Sequence, residues 1–151
     1  NILALKIGTK TGFADRLRSG ETFGGTQNFS PKKKDHTALR WINFRVWLNE
    51  ICNKYDIHAV VYEEVRRHSA TRASHVYGGF KAILEMSCYV NKCQLAGFGV
   101  GQIKKFATGK GNASKSEMIA AAKLLGCETD GDDEADAFHL LNYALGLEKD
   151  N

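Results

Sequence analysis

Three carboxylates in this chain stand where the surrounding residue pattern turns them inward. Glu63 follows the apolar run Ala59-Val60-Val61-Tyr62, at the carboxyl end of a buried strand. That end of an open α/β sheet is where ligands bind. Asp133 and Asp136 are three positions apart at the start of a helical stretch and share one face of it. The same face continues as Ala137, Leu140 and Ala144, which must pack on the sheet. Acidic residues in a first turn also suit the helix dipole, and Asp130, Asp132 and Glu134 need no further role. Strand glutamate and helix pair together form an oxygen-only ligand set for Mg²⁺ or Mn²⁺. Such a set can hold two ions about 3.5–4 Å apart, activating a water and stabilising the leaving oxygen of a phosphodiester.

The elements that must position these groups follow from hydrophobic period and turn residues. Positions 1–7 form a short strand ended by Gly8; 11–18 and 21–29 form two more, joined by a turn at Ser19-Gly20. Residues 31–35, with Lys32, Lys33 and Lys34, make a polar loop. The stretch 36–55 is a helix with Leu39, Ile42, Phe44, Val46, Leu48 and Ile51 on its apolar face. The run 57–62 is too short for a helix and reads as a buried parallel strand. A basic loop at 66–72 leads to a helix at 73–90, with Val76, Phe80, Ile83, Leu84 and Cys88 inward. A strand at 94–100, a short helix at 101–108 and a glycine-rich break at 109–112 come next. Ser114 and Glu117 form a capping box opening a helix to Leu125, which Gly126 ends. The last helix runs from 132 to 147. This order describes one α/β domain over 1–151, its sheet mixed, with an antiparallel hairpin side and a parallel side.

Composition limits the function. With 43% hydrophobic residues in 151, the chain has material for a real core. Its 21 basic and 17 acidic side chains leave +4, enough for a nucleic-acid partner only if the positive charge is clustered. No stretch approaches the ~20 apolar residues of a membrane span, and the opening residues are too short and uncharged a run for a signal peptide. Cys52, Cys88, Cys93 and Cys127 lack zinc-site spacing and read as reduced, mostly core-facing thiols of a cytoplasmic protein. Gly109-Lys110-Gly111 lacks the spacing of a phosphate-binding P-loop, so no nucleotide-hydrolysing role and no small-molecule cofactor is expected.

Five segments in order then resemble the RuvC-like Holliday-junction resolvases, in their phage and prophage branch. Residues 2–12, Ile-Leu-Ala-Leu-Lys-Ile-Gly-Thr-Lys-Thr-Gly, are similar to the first motif, a hydrophobic strand followed by Asp and a glycine turn. Tyr62-Glu63-Glu64-Val65 resembles the second motif, and Asp133-Glu134-Ala135-Asp136-Ala137 the D-x-x-D-A helix start. Residues 75–80 and 104–113 are similar to further segments of that branch. The resemblance implies a ribonuclease H-like fold and a homodimer that resolves four-way DNA junctions by paired nicks, using four carboxylates and Mg²⁺ or Mn²⁺. Glu63, Asp133 and Asp136 match three of the four catalytic, metal-binding positions. At the fourth, where the family has Asp, this chain has Lys6. A unit charge 4 Å from another interacts by about 4 kcal/mol at an effective dielectric near 20, and roughly twice that against a divalent ion. Lys6 is therefore expected to weaken metal binding, pair with the remaining carboxylates and leave a chain that binds junctions with little or no cleavage. His139, three residues beyond Asp136, is a possible replacement ligand.

Positive charge gathers after the strand ends. Arg66, Arg67 and Arg72 follow Glu63, while Lys104, Lys105, Lys110 and Lys115 surround the glycine-rich break. Both groups are expected on the carboxylate side, holding DNA phosphates without reading sequence. Lys104 and Lys115 match basic positions of the family. His68, Tyr77 and Phe106 are candidates for stacking on bases, Tyr77 and Phe106 being equally suited to the core. The helix at 73–90, with Gly78-Gly79, is the expected dimer surface. Alternatives kept open are a broader fork or flap nuclease, a non-catalytic junction-binding protein, and another ribonuclease H-like enzyme such as an RNA–DNA hybrid nuclease or a transposase-like protein.

Overall fold

The computed structural model describes residues 1–150. The elements are β1 (Ile2–Lys6), β2 (Lys10–Arg16), β3 (Thr22–Asn28), α1 (Ala38–Lys54), β4 (Ala59–Glu64), α2 (Thr71–Val90), β5 (Gln94–Gly99), α3 (Val100–Thr108), α4 (Lys115–Leu124) and α5 (Asp132–Lys149). The expected order of elements is present, with ends shifted by a few residues. The five strands form one sheet in the order β3-β2-β1-β4-β5. Pairing is antiparallel from β3 to β1 and parallel from β1 to β5. β1 is thus the strand at which the sheet changes from one mode to the other.

Side-chain alternation along the strands decides which helices cover which face. Leu3 and Leu5 of β1, with Val60 and Tyr62 of β4, face one way and meet Phe44 and Leu48 of α1 and Phe80 and Leu84 of α2. Ile2 and Ala4 of β1, with Val61 of β4, face the other way and meet Ala137, Leu140 and Ala144 of α5. The expected inward face of the last helix is therefore present, and α5 lies across β1, β2 and β4. Each fully buried Leu or Phe in these layers contributes about 1.5–3 kcal/mol from apolar burial.

Two expectations about apolar faces need correction. In α1 the buried stripe is Phe44, Leu48 and Cys52, whereas Ile42 and Val46 are each 45% exposed. The α1 surface toward the core is narrow because Trp41 and Trp47 fill its flanks, Trp41 edge-on to Phe80 and Trp47 against Phe13 and Phe29. In α2, Gly79 serves packing within the chain: a Cβ there would lie 2.6 Å from the Trp41 ring. Cys52 and Cys88 are buried, Cys93 and Cys127 partly so, and all four thiols are free.

Candidate active site

Alternation carries straight into the site. One residue beyond the paired Leu5 and Tyr62 come Lys6 and Glu63, neighbours on adjacent parallel strands. Both fall on the α5 face, because Ala4 and Val61, two residues earlier, already lie there. On the other side of Lys6 its antiparallel partner is Gly12. A Cβ at Gly12 would stand 2.0 Å from the Asp133 carbonyl oxygen. Only a residue without a side chain lets the first turn of α5 come down onto the sheet here. That turn brings Asp132, Asp133 and Glu134 to the strand ends, where the free amides of a helix start favour negative charge.

The four positions singled out by sequence converge. Lys6 Nζ donates a hydrogen bond to Asp136 Oδ2 at 2.6 Å and lies 3.3 Å from Asp133 Oδ1. Asp132, expected only to complement the dipole, is also at the cluster: its Oδ2 is 3.9 Å from Lys6 Nζ and 3.6 Å from Lys115 Nζ. Glu63 is buried beside them. Burial pushes its carboxyl up to about 7 and the Asp136 charge adds to this, against the opposing pull of Lys6 and Lys104. Burial works to lower the Lys6 pKa, but Asp136, with Glu63 and Asp133 behind it, reverses this and holds it above the ordinary lysine value. The ammonium therefore stays charged throughout the neutral range.

A divalent ion does not fit this donor set as it stands. Asp133 and Asp136 already face an ammonium, and Glu63 must lose a proton before it can serve as a ligand near neutral pH. Among the described residues no group of three or more His, Cys, Asp or Glu is arranged to hold a metal. His139 supplies no substitute. It is fully buried, its Nε2 lies 2.9 Å from the Met118 carbonyl, and it ties α5 to α4 away from the carboxylates.

The basic residues divide by location. Arg66 and Arg67 border an opening of about 600 Å³ beside Glu63, at the start of α3. Lys104, on α3, acts electrostatically on Glu63, and Lys115 reaches Asp132. Lys110 pairs with Glu117 at 3.4 Å, and Arg66 with Glu64 at 3.8 Å. Lys105 lies on α3, exposed and in no ion pair among the described residues. Arg72 departs from expectation: it borders a cavity on the α1–α2 face. Phe106 is 49% exposed against Tyr143, not core. The hydroxyl of half-buried Tyr77 donates to the Glu63 carbonyl at 3.0 Å and accepts from the Val65 amide at 3.1 Å, so it clamps the end of β4. A tyrosine fourteen residues after Glu63 gives no sequence signal for that clamp.

A mixed five-stranded sheet with Lys6 and Glu63 at the ends of its adjacent parallel strands β1 and β4, capped by a terminal helix, is a ribonuclease H-like fold. Solved structures of Holliday junction resolvases share it. The chain is similar to Thermus thermophilus RuvC in complex with a Holliday junction substrate, with 14% identity over 99% of this chain and 95% of that one, and a TM-score of 0.78. A second Thermus thermophilus RuvC structure gives 16% identity, coverage of 99% and 96%, and a TM-score of 0.76. The yeast mitochondrial Holliday junction resolvase Ydc2 gives 14%, coverage of 98% and 80%, and 0.63. No family model and no curated protein sequence matches the chain.

Proposed function

We propose that this chain is a RuvC-type protein for branched DNA: a structure-selective endodeoxyribonuclease scaffold for four-way junctions whose hydrolytic centre Lys6 holds closed. The observation that carries the reading is the Lys6 ammonium bonded within the carboxylate cluster, with Lys104 and Lys115 bordering it. The fold it shares with a RuvC seen on a Holliday junction substrate supplies the substrate class. Charge explains the division of labour. Lys104, Lys105, Lys115, Arg66 and Arg67 hold phosphates of the DNA backbone, a contact that needs no metal. Lys6 gives Asp133 and Asp136 the counter-charge that Mg²⁺ or Mn²⁺ supplies in the resemblance, so binding survives while hydrolysis is lost.

The protein works in this reading as one domain over 1–151, as a homodimer and in the cytoplasm. Met86, Tyr89 and Val90 on the outer side of α2, with Ile42 and Val46 of α1, give the exposed apolar residues for self-association. No described helix is long and apolar enough to cross a membrane.

The test is a panel of four-way junction, fork, flap, linear duplex and RNA–DNA hybrid, offered to the chain and to Lys6→Asp in Mg²⁺ and in Mn²⁺. The chain should bind the junction in preference to duplex and nick nothing. The variant should nick the junction. Equal, robust nicking by both would overturn the closed centre; equal affinity for junction and duplex would overturn the substrate class. Preference for fork or flap would move the substrate within branched DNA.

A further inference from the structure

The sheet ends on β3, and the outer edge of that strand is unguarded. β3 bonds to β2 through its odd-numbered residues. The bonds that continue the ladder at either end fix this: Leu17 N–H to the Glu21 carbonyl at 2.9 Å, and Phe29 N–H to the Thr9 carbonyl at 2.7 Å. The amides and carbonyls of Thr22, Gly24, Thr26 and Asn28 therefore point away from the sheet, and all four residues are exposed. Among the described residues no other backbone segment bonds to them. Edge strands are ordinarily blunted by a lysine, a proline or a bulge. The run Thr-Phe-Gly-Gly-Thr-Gln-Asn has no charge and no proline, and its register with β2 is unbroken from Thr22 to Asn28.

A cavity of about 650 Å³ opens between this edge and α5. Phe138 and Leu141 of α5, Phe106 of α3 and the largely exposed Leu125 give it an apolar wall. Glu128 and Glu134 border it, and among the described residues neither is in an ion pair. Asp15 also borders it but accepts from the Phe23 amide, and Arg16 is the one basic residue in the lining. Glu134 Oε1 lies 3.3 Å from where a Cβ on Gly24 would stand, so this carboxylate reaches the strand edge. Edge and cavity together select the occupant. Free backbone groups in strand geometry call for an extended peptide. Two carboxylates without counter-charge beside an apolar wall call for lysine or arginine, whose methylene stem covers the wall while the charged head meets the carboxylates. A second copy of β3 would bring no such charge, because its own residues are uncharged. We propose that the β3 edge docks an extended basic segment of a partner protein as a sixth strand, alternate lysine or arginine side chains entering the cavity at Glu134 and Glu128. A partner held there lies against the first turn of α5, the helix that carries Asp133 and Asp136.

The experiment offers the chain a capped peptide of alternating valine and lysine, seven residues long like β3. Two controls carry glutamate in place of lysine, or a methyl group on every backbone nitrogen. Affinity is followed by anisotropy of a fluorescein label, and contact by amide hydrogen exchange. In the free chain the Gly24 and Thr26 amides should exchange fast and the Gly25 amide slowly. The lysine peptide should protect Gly24 and Thr26; neither control should. Glu134→Gln should weaken binding by roughly tenfold, as loss of a charged hydrogen-bond partner implies. Thr26→Pro should abolish binding. The Thr26 amide takes no part in the ladder, so an edge proline there leaves β3 in place, and Glu134→Gln gives the readout if it does not. Binding that survives methylation, or binding of the glutamate peptide as tight as that of the lysine peptide, would overturn the proposal. So would lysine-peptide binding that leaves Gly24 and Thr26 unprotected, or no binding at all. Protection of those amides in the chain alone, lost on dilution, would make a second copy the occupant and overturn the heterologous partner.

Discussion

Lys6 Nζ stands 2.6 Å from Asp136 Oδ2, joining residues 130 positions apart across the gap between the middle strand and the last helix. The Lys6 side chain is 25% exposed and that of Asp136 12%, so water screens the pair only in part. A charge-assisted hydrogen bond in such a setting contributes about 1.5–3 kcal/mol. The same ammonium lies 3.3 Å from Asp133, so its loss would leave Asp133 and Asp136 without their ion-pair partner, with only Lys104 and Lys115 near the cluster.

Exchanging that cation for a carboxylate should make stability depend on metal. In a chelator, Lys6→Asp should melt below the parent chain, because like charges are brought together. Mg²⁺ or Mn²⁺ at about a hundred times its dissociation constant should restore roughly 2.7 kcal/mol to the variant. The parent chain should not respond. Calorimetric melts with and without metal give the comparison, and a parent chain that gains as much as the variant would contradict the role given to Lys6.

Gly12 should tolerate no side chain. A Cβ there meets backbone, the Asp133 carbonyl at 2.0 Å and the Glu134 amide at 2.9 Å, so α5 itself has to move. Gly12→Ala is expected to cost about 1–3 kcal/mol, the range for overpacked sites. At about 2–4 °C per kcal/mol for a chain of this size, the melting temperature should fall by several degrees. An unchanged melt would mean that α5 does not sit on β2 as described.

Removing the Tyr77 hydroxyl should loosen the end of β4. Tyr77→Phe strands the Glu63 carbonyl and the Val65 amide, at a cost of about 1–3 kcal/mol if water cannot replace the bond. Amide exchange at Val65 should quicken while exchange in the centre of β1 stays slow. Uniform quickening would show general destabilisation instead of a local clamp.

Asp15 should give stability a characteristic fall with pH. It is 1% exposed, and burial pushes its carboxyl up to about 6 against the lowering effect of the bond it accepts from the Phe23 amide at 2.9 Å. The unfolded chain returns it to about 3.9. The folded state therefore holds the proton more tightly. Its contribution is full below about pH 4, is lost as pH rises through about 6, and is flat beyond that. The loss is on the order of 3 kcal/mol. Urea unfolding from pH 4 to 8 should show this fall in the parent chain and not in Asp15→Asn; parallel curves would refute it.

Phosphate contacts should show in the salt dependence of DNA binding. Lys104→Gln and Lys115→Gln should each weaken junction and duplex alike and reduce the slope of log affinity against log salt by about 0.9. Lys110→Gln should do less than Lys104→Gln, because Lys110 already pairs with Glu117 whereas Lys104 is in no ion pair among the described residues. A larger effect at Lys110 than at Lys104 would relocate the DNA path.

Sequence by itself determined what hydrophobic period and charge type determine. The strand 59–62 marked Glu63, the helix face through Ala137, Leu140 and Ala144 marked Asp133 and Asp136, and only the resemblance in motif order drew Lys6 into the same set. Those signals are local, and alternation on strands and helices transmits them faithfully. Tertiary structure alone decided the rest. That Lys6 bonds to Asp136, that Asp132 joins the cluster, that Gly12 is the floor under α5, that Arg72 turns to the other face and that His139 clamps α4 all depend on strand register and helix docking. Register is set by contacts between residues far apart in the chain, and no run of neighbouring residues encodes it.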